Sequence, residues 1–117
     1  ELSKFYNDKG ELIRVIDEVG NIREFVTSKY YSKSYLNGVL TSYDKYSDNN
    51  ILIEKYIRYQ DGSQHKTLYN ENGNFIEETC NGKIIRKINY DNGKAVSIFI
   101  LQNNRLIKYD LNSELTN

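Results

Sequence analysis

Residues 68–76 read LYNENGNFI, and this short unit decides the fold. Tyr69 closes one extended run, an Asn-rich turn with Gly73 reverses the chain, and Phe75 and Ile76 start the next run. A tight reversal between strands needs one or two residues at positive φ. Glycine reaches that region freely, and Asn or Asp does so at modest cost. The same grammar recurs at Asn7-Asp8-Lys9-Gly10, Glu18-Val19-Gly20-Asn21, Asn37-Gly38, Ser47-Asp48-Asn49-Asn50, Asp61-Gly62, Asn81-Gly82, Asn92-Gly93 and Asn103-Asn104. All seven glycines fall in these turns, and proline is absent, so no strand position lacks its N–H. Most turns recur at intervals of roughly eleven residues, which fits one strand of about six to eight residues and a short reversal.

Helical periodicity is poor, whereas short runs of Ile, Val, Tyr, Thr and Phe are bounded by Asn, Asp and Gly throughout. The 117 residues suit a single domain spanning 1–117. The expected fold is an all-β antiparallel meander of about ten short strands joined by hairpin turns. The strands do not alternate cleanly. Ile51, Ile53, Ile57 and Tyr59 share a face with Lys55, opposite Leu52, Glu54, Tyr56 and Arg58. Ala95–Leu101 is apolar on both faces and reads as the most buried run. A sandwich or barrel needs one dry face. Mixed faces favour an open single-layer or weakly curved sheet, with Tyr rings and long charged stems covering each other. The alternative is an up-and-down β-barrel.

One interval departs from the pattern. Between Gly20 and Gly38 lies VTSKYYSKSYL, with no glycine. It reads as two strands with a turn near Ser32-Lys33-Ser34, or as one strand and an ordered loop. Tyr30, Tyr31 and Tyr35 crowd here, and Tyr43 follows on the next strand within reach of Tyr31. On a strand Tyr31 and Tyr35 share a face and Tyr30 points away. Lys29, Lys33 and Lys45 border the group. Aromatic residues within a charged rim are the composition of a protein-binding surface, so these four tyrosines are the candidate binding residues. A structural reading competes with it, in which the rings only cover one end of a thin sheet. Tyr6, Tyr35, Tyr46, Tyr59, Tyr69 and Tyr90 precede turns and are expected to stack into cross-strand ladders.

Lys plus Arg and Asp plus Glu balance at 16 each, so no electrostatic footprint for nucleic acid exists. No apolar run approaches the length of a membrane helix. Glu1 is not an initiator methionine, so a leader, tag or domain upstream is expected to have been removed. His65 is the sole histidine and Cys80 the sole cysteine. His65 reads as an exposed hairpin shoulder, and Cys80 as a small buried hydrophobe or an idle thiol, not a nucleophile, since no base lies near it in sequence. Neither ligand spacing for a metal nor a nucleophile elbow occurs. Glu77 and Glu78 are adjacent and point to opposite faces, so they form no acid/base pair. Asp48-Asn49-Asn50 lacks the acidic closing residue of a calcium loop. No catalytic residue, metal or cofactor is assigned.

The units FYNDKGELI, YLNGVL, YQDGS, LYNENGNFI and YDNGKAV carry a pattern read over most of the chain from Phe5 to Leu111. Their Tyr-x-x-x-Gly-x-apolar pattern resembles bacterial MORN-variant repeats, found in antitoxin-like and envelope-associated proteins. It is also similar to the YD repeats of bacterial secreted polymorphic proteins. The chain departs from the first by lacking its second glycine positions, and from the second by a shorter period. Both resemblances imply hairpin-built sheets that contact partners without catalysis. They imply a non-enzymatic bacterial protein-interaction module, immunity-like or envelope-associated, with secretion or the envelope favoured over the cytoplasm. A protein is the expected partner and a glycan the second choice. The competing readings are a carbohydrate- or small-molecule-binding barrel and, behind it, a hydrolase.

Overall fold

The computed structural model describes residues 2–111. Eleven strands run in chain order. They are β1 (Ser3–Tyr6), β2 (Leu12–Ile16), β3 (Ile22–Thr27), β4 (Tyr31–Leu36), β5 (Val39–Tyr46), β6 (Leu52–Arg58), β7 (Gln64–Tyr69), β8 (Phe75–Cys80), β9 (Lys83–Asp91), β10 (Lys94–Gln102) and β11 (Arg105–Asp110). Each pairs antiparallel with its sequence neighbours, giving a single sheet in the order β1 to β11. The sheet does not close, since β1 and β11 lie at opposite ends of that order, and the barrel alternative is thereby corrected. The physical reason is the absence of a dry face: no hydrophobic residue is fully buried among the described residues, and Ser97 alone is nearly inaccessible, at 3%. Principal extents of 62 × 35 × 20 Å follow from laying strands side by side. The radius of gyration is 18.9 Å, against about 13 Å for a compact chain of about 100 residues.

Two kinds of turn recur along the meander. In the longer kind one side chain replaces a strand partner. Asn70 Oδ1 accepts the N–H groups of Asn72 at 2.9 Å and Asn74 at 3.0 Å, while the Asn70 N–H donates to the Asn74 carbonyl at 2.8 Å. Asn7 and Asp17 do the same, and the Ser47 hydroxyl stands in for them. The shorter kind places two residues at positive φ, as at Asn92 (51°) and Gly93 (80°). This is the hairpin turn whose twist matches that of its strands.

The turn expected near Ser32-Lys33-Ser34 is instead made by residues 28–30, four positions earlier. Ser32 and Ser34 are strand residues paired with Thr27 and Phe25. The interval therefore holds two strands in step with the rest. Residues 28–30 have no positive φ, so the turn needed neither Gly nor Asn.

Six strand pairs carry a one-residue bulge. The extra residues are Ile13, Thr41, Ile53, Ile76, Ile85 and Val96, each three places after the last positive-φ residue of a turn. All six are β-branched, the residues that most resist leaving extended backbone. The exposed polar groups of two bulges find partners. Thr41 Oγ1 donates to the Ser34 carbonyl at 3.1 Å, and the Leu111 N–H donates to the Val96 carbonyl at 2.9 Å.

Candidate functional site

Cross-strand pairing fixes which side chains share a face. Tyr31 lies opposite Lys45, and Lys33 opposite Tyr43. On the next strand Glu54 faces Lys45 and Tyr56 faces Tyr43. One further on, Leu68 faces Glu54 and Lys66 faces Tyr56. The front face at β4–β7 is thus a checkerboard of rings and charges. Tyr31 meets Tyr43 edge-on with centroids 5.7 Å apart, and Tyr43 stacks on Tyr56 at 5.1 Å. Lys33 Nζ and Lys45 Nζ lie 4.8 Å and 5.7 Å from the Tyr31 centroid. The Tyr43 hydroxyl donates to the Glu54 carboxylate, whose Oε2 also lies 4.0 Å from Lys66 Nζ. Burial first, and then the bond to and the charge of Glu54, push the Tyr43 phenol well above its ordinary value of 10.0. Tyr56 Oη donates to Gln64 Oε1 at 3.1 Å. Each ring is half-buried, held at its edges by neighbours and open on the solvent side.

Of the four expected binding residues, Tyr31 and Tyr43 come into direct contact. Tyr35 shares their face, as the alternation required, and sits between Glu24 and Leu40 without stacking on another ring. Tyr30 stands apart in the 28–30 turn. Its hydroxyl donates to Asp48 Oδ1 at 2.6 Å and its carbonyl accepts the Tyr46 N–H at 2.7 Å, tying two neighbouring turns together. The bond to Asp48 raises the Tyr30 phenol above its usual range. Tyr56 was missed. Its signal was the run Glu54, Tyr56, Arg58, which continues the front face once the bulge at Ile53 is allowed for.

The ladder expected from tyrosines preceding turns does not form. Tyr59 meets the His65 ring at 5.0 Å, Tyr69 meets Phe75 at 6.5 Å, and the Tyr90 hydroxyl donates to the Phe75 carbonyl at 2.6 Å. The ladder lies mid-strand instead, where rings on adjacent strands are in register.

On the back face His65 is a half-buried strand residue, not an exposed shoulder. It pairs with Cys80, and Cys80 Sγ lies 3.5 Å from His65 Nε2. The cysteine, itself half-buried, therefore has a base beside it, fifteen residues away in sequence. Glu77 and Glu78 point to opposite faces as expected, with Glu78 paired to Arg86 at 3.4 Å. Among the described residues no group of three or more His, Cys, Asp or Glu side chains is arranged to hold a metal ion. No helix of the described residues is long and apolar enough to cross a membrane.

No protein-family model matches the chain, and no curated protein matches it closely enough to be counted a relative.

Proposed function

We propose that this chain is a non-enzymatic protein-interaction module that binds its partner on the front face of β4–β6. The observation that carries the reading is the contiguous set Tyr31, Tyr43 and Tyr56, flanked by Lys33, Lys45 and Lys66. Tyrosine rings held by their neighbours offer large contact area with little side-chain entropy left to lose. Lysines at the border supply a polar rim. The repeat grammar adds a bacterial setting of the immunity or envelope kind, on the strength of the resemblance to MORN-variant and YD repeats. An open single-layer sheet supports a protein partner over a small enclosed ligand, because ligand pockets bury most of their occupant between walls and a single layer offers one.

The test separates binding from folding. Immobilised protein is used to capture a partner from native bacterial lysate, and the contact is mapped by cross-linking through lysines. Tyr31→Ala and Tyr35→Ala are expected to weaken capture while melting stays within about 4 °C of the parent. Cross-links are expected at Lys33 and Lys45. Capture that survives both substitutions, or that maps to the back face, sinks the reading.

A further inference from the structure

Resting on that reading of the front face, we infer that the partner presents an extended acidic segment with carboxylates at alternate positions, and that Lys33 and Lys45 receive them. Three observations lead there. First, the two ammonium groups flank a single ring, 4.8 Å and 5.7 Å from the Tyr31 centroid. Second, neither is neutralised: among the described residues no carboxylate pairs with Lys33 or Lys45, whereas Arg14, Lys55, Lys66, Arg86 and Lys108 all have one. Glu54 stands directly across from Lys45, yet its carboxylate is taken by the Tyr43 hydroxyl and approached by Lys66. The carboxylate that would quench the patch is held elsewhere.

Third, the spacing selects the ligand. Lys33 and Lys45 are diagonal neighbours across β4 and β5. Diagonal positions on a sheet lie about 7–8 Å apart. Residues i and i+2 of an extended peptide lie on one side, about 6.6–6.8 Å apart. An acidic-x-acidic segment laid diagonally over β4 and β5 therefore reaches both lysines across the Tyr31–Tyr43 pair.

Fluorescence anisotropy with a labelled decapeptide of alternating Glu and Thr tests this, beside the same peptide with Gln in place of Glu. The acidic peptide is expected to bind at low salt and to weaken sharply between about 50 and 200 mM salt, where exposed charges become screened. The Lys33→Gln/Lys45→Gln double variant should lose about three- to tenfold in affinity, and Tyr31→Ala should lose a similar factor. Lys4→Gln/Lys9→Gln, on the distant first hairpin, should lose nothing. The inference is overturned by any of three results: equal binding of the Gln peptide, unchanged binding by the Lys33/Lys45 variant, or no binding of the acidic peptide at low salt. It is also overturned if a sulfated oligosaccharide binds through the same lysines and the peptide does not. Should lysate capture still depend on Tyr31 in those cases, the binding face stands and only its acidic partner falls.

Discussion

The front face of β4–β6 and the back face of β9–β11 solve one problem in opposite ways. Both belong to a single layer that has no second sheet to pack against. At the C-terminal end, Ile98 faces Ile88 and Tyr109, and Ile100 faces Ile107. Branched aliphatic side chains meet each other across the strands there, while Ser97, nearly inaccessible, lies on the opposite face of β10 beside Asn89. In the middle the cover is made of rings and ammonium stems. Rings stacked edge and face leave their outer surfaces wet, and lysines over a ring keep their charge in solvent. The aliphatic block spends its side chains on itself. The aromatic block retains groups that can still be satisfied by something else.

The largest expected effect tests the aliphatic block. Ile98→Ala removes the centre of the cluster and is expected to cost about 1.5–2.5 kcal/mol, below the fully buried range because the site is half-exposed. Urea unfolding measures it. A loss under about 0.5 kcal/mol would mean that the two blocks do not differ in how they hold the sheet.

A smaller effect sharpens the aromatic side. Tyr43→Phe keeps the stack and removes the hydroxyl bonded to Glu54, for about 0.5–1 kcal/mol at neutral pH. The folded-state phenol lies above its ordinary value of 10.0, so the hydroxyl's contribution is whole below pH 10 and lost as pH rises through the folded value. The stability gap between parent and variant should therefore be constant from pH 7 to near 10 and shrink above it. A gap that grows in alkali contradicts the assignment.

The smallest effect compares the turns of the two blocks. Asn37 Oδ1 accepts the Ile22 N–H at 2.7 Å while the Asn37 N–H donates to the Ile22 carbonyl at 2.7 Å, which ties adjacent hairpins. Asn92 has the same backbone, φ 51° against 50°, and no such tie among the described residues. Asn37→Gly should cost about 0.5 kcal/mol more than Asn92→Gly, since both keep the turn and only one loses the bond. Equal melting temperatures for the two variants would remove the tie from the account.

The sheet was legible because its turns obey a local rule. Gly73 and Gly93 were expected at positive φ and have 84° and 80°. The turn at residues 28–30 was misplaced because it follows no such rule, and two strands there passed for a break in the period. The site was half-legible. Alternation put Tyr31 and Tyr35 on one face, and hairpin counting brought Tyr43 to Tyr31. Tyr56 lay beyond a bulge, and a bulge moves every later residue by one place. The approach of Cys80 to His65 depends on the register of β7 against β8 across an intervening loop, which neither residue's neighbours encode.

The six β-branched bulges have a consequence for how copies of this chain behave toward each other. A single-layer sheet with wet faces and open edges is the shape from which fibrils are made. Fibrils, however, stack flat strands in long uninterrupted ladders. Here six of the ten ladders are interrupted shortly after a turn, and each interruption adds right-handed twist. The extra residues sit on β2, β5, β6, β8, β9 and β10, inside the sheet rather than on its edge strands β1 and β11. The misfit that repeats along the sequence keeps the inner ladders from the flat stacking that a fibril requires.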